Sequence, residues 1–263
     1  MSTLVLAEPG STHEGSRDAM LKLLDVAAAA GCDGMKWQWL SSAERLCGRR
    51  QAKDYLDSYR LIEGDEALLR FMARETRARG LRMAATAYLP EDIPIVAQHV
   101  DTVKLASFDA GALLDDALEC GRPLIVSAGM TDHAEMETRA EMLATADARH
   151  GLLVCTSAYP CPVDEAHLAV LRGSWPGVRI GLSDHTRYPY TGALAVAAGA
   201  RIVEFHIRSY ECPPANRDYA VARDPQEANA YVAHLRLAEK ALGDGVQRMQ
   251  PSEVAMGAYR VRG

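Results

Sequence analysis

Two histidines in the second half of the chain follow short apolar runs: His185 in Leu-Ser-Asp-His-Thr, and His206 in Glu-Phe-His. Neutral imidazoles are good ligands for a divalent cation. A pair on neighbouring strand ends leaves coordination positions for water and substrate, as a Lewis acid requires and a closed structural zinc site does not. Asp184 and Glu204 stand beside them as candidates to orient the rings. A second set accompanies them. Lys36 and Lys104, with Ser107, Ser127 and Ser183, lie at or just past other apolar runs, and Glu8, Gln38 and Thr86 occupy equivalent positions. One lysine at such a place would mean little, because structural ion pairs put charges there too. Two lysines with three serines supply the cations and hydroxyl donors that a phosphate or carboxylate needs. The other histidines, His13, His99, His133, His150, His167 and His234, fall on expected loops and helices and read as surface residues. Cys155 reads as a small buried hydrophobe rather than a nucleophile. No Gly-x-Gly-x-x-Gly fingerprint or Walker lysine is present.

The elements that must position these groups alternate along the chain. Short apolar runs occur at Leu4–Ala7, Gly34–Gln38, Arg82–Thr86, Thr102–Ala106, Leu124–Ala128, Leu152–Thr156, Val178–Leu182 and Ile202–Phe205. Each is too short for a helix and too uniformly apolar for a half-exposed strand, so each predicts a strand buried on both faces. Helical patterns lie between them at Arg17–Ala30, Asp65–Arg79, Asp132–Ala146, Asp164–Leu171, Tyr190–Ala198 and Pro225–Leu242, with Gly31, Gly80 and Gly243 as stops. Eight strands alternating with helices predict an α/β fold, a (β/α)8 TIM barrel forming one domain over residues 1–263. The count by itself also fits an open doubly wound sheet. In a barrel these lysines, serines, histidines and their polar companions share the C-terminal rim, where such folds build their sites. Trp37 and Trp39 are expected to pack outward against helices. Two irregular stretches, Leu40–Leu61 and Arg208–Asp224, have the length of lids, binding loops or oligomer contacts.

Composition narrows the classes. A formal charge of −6 with no basic run argues against nucleic acid and anionic membranes as partners, and 48% hydrophobic residues provide for a sizeable core. No segment has the apolar length of a transmembrane helix, and the N-terminus lacks the basic region of a signal peptide. The six cysteines have no zinc-finger spacing and read as free thiols of a cytoplasmic protein.

Taken in order, Ala-Glu8 with Gly15, Met-Lys36-Trp-Gln38, Ala-Thr86-Ala, Val-Lys104-Leu-Ala-Ser107, Val-Ser127-Ala-Gly-Met, Cys155-Thr-Ser-Ala-Tyr159-Pro, Leu-Ser183-Asp184-His185-Thr and Glu204-Phe-His206 form a pattern. It resembles the sialic acid synthase (N-acetylneuraminate synthase) family from the first strand to about Glu253. Leu-Ser-Asp-His-Thr with the later Glu-Phe-His is the specific part. The resemblance implies condensation of phosphoenolpyruvate with an aldehyde sugar, or a sugar-like aldehyde, to a 2-keto-3-deoxy acid and phosphate. It implies Mn2+ or Mg2+ held by His185 and His206. Lys36, Thr86, Lys104, Ser107, Ser127, Tyr159 and Ser183 match positions that hold phosphoenolpyruvate, and Glu8, Gln38 and Asp218 match positions facing the sugar. Glu8, Asp109 and Asp218 are the candidates for proton handling.

Several positions depart from the family pattern: Thr12-His13-Glu14-Gly15 for Asn-His-Asn-Gly, Asp109 for Glu, Ala128 for Thr, Ser157 for Asn, and a longer loop before Asp218. No counterpart of the family's small C-terminal antifreeze-like domain follows Glu253, so the chain reads as the barrel alone, with a homodimer left open. Two alternatives stand beside this reading. A metal-dependent barrel aldolase or lyase would keep the two histidines without needing both lysines and the serines. A silent sugar-acid-binding barrel would have no use for the histidine pair.

Overall fold

In the computed structural model, which describes residues 2–261, the apolar runs are eight parallel strands closed into a barrel, each paired with its sequence neighbours and β1 with β8. They are β1 (Leu4–Glu8), β2 (Gly34–Gln38), β3 (Arg82–Thr86), β4 (Thr102–Leu105), β5 (Leu124–Ser127), β6 (Gly151–Cys155), β7 (Arg179–Asp184) and β8 (Ile202–His206). The closed order excludes the open sheet. Met1, Arg262 and Gly263 of the expected domain lie outside the described residues.

Strand pleating separates two cores, since alternate side chains face opposite sides. Outward residues such as Val5, Met35, Met83 and Val103 pack with the helices in one large apolar cluster. Inward residues Leu4, Leu6, Ile125, Leu153 and Ile202 form a separate plug inside the barrel. The two tryptophans face outward as expected. Trp37 Nε1 donates to Thr76 Oγ1 (3.0 Å), and Trp39 Nε1 donates to the Asp65 carbonyl (3.3 Å).

The helices start and stop where the chain supplies caps. They are α1 (Arg17–Ala30), α2 (Ala43–Arg50), α3 (Leu56–Arg60), α4 (Glu66–Ala78), α5 (Asp92–His99), α6 (Ala110–Leu118), α7 (His133–Ala146), α8 (Thr191–Ala197) and α9 (Pro225–Leu242). Asp132 with Glu135 and Asp224 with Glu227 close capping boxes on α7 and α9, and Gly31 ends α1 at φ 79°. The short helices α5 and α6 escape the sequence reading. The helix expected over Asp164–Leu171 is two 3-10 turns, Val163–Glu165 and Leu168–Arg172. Between them His167 takes a left-handed conformation (φ 50°), which interrupts any α-helical ladder. The long stretch after β2 is itself folded: α2, a 3-10 turn at Lys53–Tyr55, and α3. It rests on an apolar cluster of Leu40, Ala43, Leu46, Ile62, Tyr88 and Leu89, and Leu40 pairs with Glu63 to pin its two ends together.

Two histidines read as surface residues are buried. His150 Nδ1 accepts from the Leu124 amide (2.8 Å), and His13 packs edge-on to Trp37 while its Nδ1 accepts from the Gly15 amide (3.1 Å). Burial lowers the His13 pKa to about 4, against the opposing pull of Asp218. Among the described residues no helix is long and apolar enough to cross a membrane.

Candidate active site

The pleat that fills the barrel with Leu6 and Leu153 brings polar residues to the same inner face two residues later. Glu8 on β1, Lys36 and Gln38 on β2, Lys104 on β4, Ser127 on β5, Ser183 on β7, and Glu204 and His206 on β8 line a cavity of about 700 Å3 at the strands' C-terminal ends. The loops that follow add Ser107, Asp109, Tyr159, His185 and Asp218. Of the residues expected from sequence, Thr86 alone is not in the lining. It is fully buried, and its hydroxyl has no hydrogen-bond partner.

Charges on the cavity floor are arranged in pairs. Lys36 contacts Glu8, whose Oε1 also accepts from Gln38 Nε2 (2.7 Å). Lys104 Nζ donates to Ser127 Oγ (2.7 Å) and lies 3.4 Å from Glu204 Oε1, which in turn accepts from Ser183 Oγ (3.0 Å). All four charged groups are at most 3% exposed, so each would be costly without its partner. Burial opposes ionisation of Glu8, yet Lys36, His206 and Lys104 together hold its carboxyl well below the usual carboxylate range. Burial likewise opposes the Lys36 cation, and Glu204 and Glu8 outweigh it. The floor is therefore two lysines and a set of hydroxyls, with Glu8 and Glu204 behind them.

His185 and His206 face each other across this floor, with ring centroids 5.4 Å apart, and the Tyr159 ring stacks against His185 at 4.2 Å. His185 Nδ1 is 2.8 Å from the Thr156 carbonyl. A carbonyl only accepts, so Nδ1 carries a hydrogen. Burial opposes the ring's charge, yet Cys155 beside it raises the His185 pKa to about 9, so a cation taken at Nε2, beside Ser183 Oγ, would displace a proton there. His206 has a buried Nδ1 without a partner, and burial keeps the ring neutral. These are donors suited to a divalent cation. Among the described residues no third His, Cys, Asp or Glu side chain joins them in a metal-holding set. The protein thus offers two imidazoles, and water and substrate would complete the shell. Asp184, read as a partner for these rings, faces outward instead. It accepts from Arg223 (3.0 Å) and Tyr231 Oη (2.6 Å), because its place on the β7 pleat is opposite to Ser183.

Cys155 is also placed differently from its sequence reading. It lines the cavity with Sγ 3.7 Å from both His185 Nδ1 and Ser107 Oγ. Burial opposes its thiolate, but His185, Ser107 and Lys104 prevail and lower its pKa. Close by, a Cβ on Gly129 would come within 2.5 Å of Ser157 Oγ and 2.7 Å of Ser107 Oγ, so only glycine lets these hydroxyls approach the loop after β5. Gly10 serves Asp218 in the same way: at φ 55°, its Cβ would lie 2.4 Å from Asp218 Oδ2, the oxygen that accepts from the Ser11 amide and hydroxyl (2.7 Å each).

The mouth comes from residues that sequence reasoning did not single out. Arg50, at the end of α2, reaches over the rim and grips both oxygens of Asp109 while its Nη1 donates to Tyr59 Oη (2.8 Å). The rings of Tyr59, Tyr88 and Phe108 surround its guanidinium at 5.1–5.5 Å. From the loop after β8, Arg217 stacks on Tyr55 (4.1 Å) and donates to the Asp54 carbonyl (2.8 Å). The concentration of Arg and Tyr in Leu40–Leu61 was the available signal, but nothing in it says which of them face the barrel axis.

Comparison with known proteins agrees with this architecture. The chain is 27% identical to the N,N'-diacetyllegionaminic acid synthase of Campylobacter jejuni, covering 95% of this chain and 80% of that one. It is 26% identical to the human N-acetylneuraminate-9-phosphate synthase, covering 95% and 74%. The crystal structure of an N-acetylneuraminic acid (sialic acid) synthetase from Leptospira borgpetersenii, in complex with citrate, superposes with a TM-score of 0.88 at 26% identity, over 99% of this chain and 92% of that one. The family model described as NeuB matches residues 23–247, nearly the whole barrel, and the chain belongs to the NeuB family.

Proposed function

We propose that this barrel condenses phosphoenolpyruvate with an aldehyde sugar, or a sugar-like aldehyde, to a 2-keto-3-deoxy acid and inorganic phosphate. The observation that carries the reading is the convergence of Lys36, Lys104 and three serines with a facing histidine pair in one enclosed cavity. Lys104, Ser107, Ser127 and Ser183 hold the phosphate and carboxylate of the donor, and Lys36 adds its charge from β2. Tyr159 adds to the wall beside His185, while Thr86 supports the floor from behind the lining.

A divalent cation, Mn2+ or Mg2+, held by His185 and His206 would supply Lewis acidity toward the acceptor's carbonyl oxygen. Carbon 3 of the enol attacks the aldehyde carbon, water adds at carbon 2, and the tetrahedral adduct expels phosphate into the lysine–serine floor. Gln38 and Glu8 face the acceptor. Glu8 is ionised and held on Oε1 by two donors, and both Asp109 oxygens are engaged by Arg50. Asp218, bound through Oδ2 only, keeps Oδ1 toward His206 (3.8 Å) and is the carboxylate best placed to take the proton of the attacking water.

The test is phosphate release from phosphoenolpyruvate with Mn2+, across a panel of aldehyde sugars, beside a His185→Ala/His206→Ala double variant. Acceptor-dependent release that the variant or a chelator abolishes is expected. Absence of phosphoenolpyruvate binding by calorimetry would sink the reading.

A further inference from the structure

The opposite end of the barrel carries a cationic cluster that the proposed reaction does not use. Arg82 opens β3 and Arg179 opens β7, and these strands face each other across the closed sheet. Arg82 shares its strand face with Ala84 and Thr86, and Arg179 shares its face with Gly181 and the cavity-lining Ser183, so both start on the inner side of the pleat. Arg201 lies beside Arg179, its amide donating to the Ile180 carbonyl (2.8 Å). Their neighbours on the adjoining strands are glycines: Gly34 pairs with Arg82 and Gly151 with Arg179. The apolar plug of Leu4, Leu6, Ile125, Leu153 and Ile202 separates this end from the candidate active site.

What distinguishes the cluster is its lack of neutralisation in a chain of net charge −6. Carboxylates that precede strands at this end are committed elsewhere: Asp33, before β2, to Arg236 (2.7 Å), Asp101, before β4, to Arg77 (3.1 Å), and Asp147, before β6, to Arg149 (2.6 Å). Among the described residues none of the three arginines has an ion-pair partner. Burial disfavours the half-buried Arg179 cation, then the Arg82 and Arg201 charges disfavour it further, and no carboxylate offsets them. Three like charges brought together without a counter-charge cost free energy that a bound anion would recover.

We propose that Arg82, Arg179 and Arg201 form a second anion-binding site at the N-terminal mouth of the barrel, for a multiply charged oxyanion of the phosphate class. Guanidinium groups suit such a ligand because each offers a planar pair of donors to neighbouring oxygens. Inorganic polyphosphates and nucleoside polyphosphates share this chemistry.

Calorimetric titration of the full chain in phosphate-free buffer, without divalent metal, tests the site. Pyrophosphate and ADP are the probes, each with and without saturating phosphoenolpyruvate to occupy the upper cavity. One pyrophosphate is expected to bind even when phosphoenolpyruvate is present, at least tenfold more weakly in Arg179→Gln and in Arg201→Gln. The exposed Arg201 provides a variant whose folding is not in question. Tighter binding of ADP than of pyrophosphate would assign a nucleotide, and the reverse order would assign the free polyphosphate. Binding that phosphoenolpyruvate abolishes and the arginine variants leave unchanged belongs to the upper cavity and overturns the proposal. So does a titration with no heat of binding from either probe.

Discussion

Lys36 and Lys104 sit on strands whose backbones are hydrogen-bonded on both sides, whereas Arg50 and Arg217 sit on excursions outside the sheet. On the floor, each cation meets its carboxylate because the strand register leaves no alternative, and water is largely excluded. At the mouth, the same kind of pairing is made by long side chains from separate excursions: Arg50 grips Asp109 from the β2 side, and Arg217 lies on Tyr55 from the β8 side. The floor is thus preorganised by the fold itself, while the mouth is a clasp among the excursions after β2, β4 and β8. Under the proposed reaction the floor would hold the donor and the loops would face the acceptor, and loops change at little cost to the core.

If that contrast is real, floor and mouth variants should fail differently. The largest effect is expected for Lys104→Met, which removes the cation bridging Ser127 and Glu204; turnover should fall by roughly a hundred- to a thousandfold in the phosphate-release assay, the scale seen when a transition-state donor is lost. Next, Lys36→Met leaves Glu8 charged and unpaired in the interior, at a cost of about 3–5 kcal/mol by denaturant unfolding. The double variant Glu8→Gln/Lys36→Met should recover much of that loss; if it recovers none, the pair is not what the floor depends on.

His13, beneath the β1 loop, sharpens the comparison because it is buried on the mouth side. Its folded pKa of about 4 lies below the unfolded value near 6.5, so the unfolded chain binds the extra proton first. Its penalty on stability is absent above pH ~6.5 and grows as pH falls toward 4, to about 3 kcal/mol. His13→Asn should flatten that part of the stability–pH curve, and an unchanged slope would remove His13 as the cause. The smallest effect belongs to the clasp. Arg50→Ala should raise the acceptor KM by about tenfold, roughly 1.4 kcal/mol, while leaving phosphoenolpyruvate binding by calorimetry near that of the parent. A comparable loss of phosphoenolpyruvate affinity would show that the mouth serves both substrates.

Much of the barrel was legible because parallel strands buried on both faces leave continuous apolar runs, and the ends of β2 and β3 match their runs residue for residue. Lys36, Lys104, Ser127, Ser183, His185 and His206 were legible as rim residues for a related reason, since a polar residue closing such a run falls at the strand's C-terminal end; the structure adds that all six line one cavity. The short helices α5 and α6 and the broken segment around His167 were not, since a few turns carry little periodic signal and a single left-handed residue has no reliable mark in sequence. His13 and His150 were misread because their loops are covered by other parts of the chain, which local pattern cannot register.

The sequence by itself therefore determined where the strands and the long helices lie and which residue types close the strands, all of which follow from local periodicity; closure of the barrel came from the structure. Only the tertiary structure decided the partners. It turned Asp184 outward to Arg223 and Tyr231, engaged Asp109 with Arg50 from far along the chain, and gathered Arg82, Arg179 and Arg201 at one end. Pairing of charges depends on distances of a few ångströms between segments remote in sequence, and closing the barrel is what sets those distances.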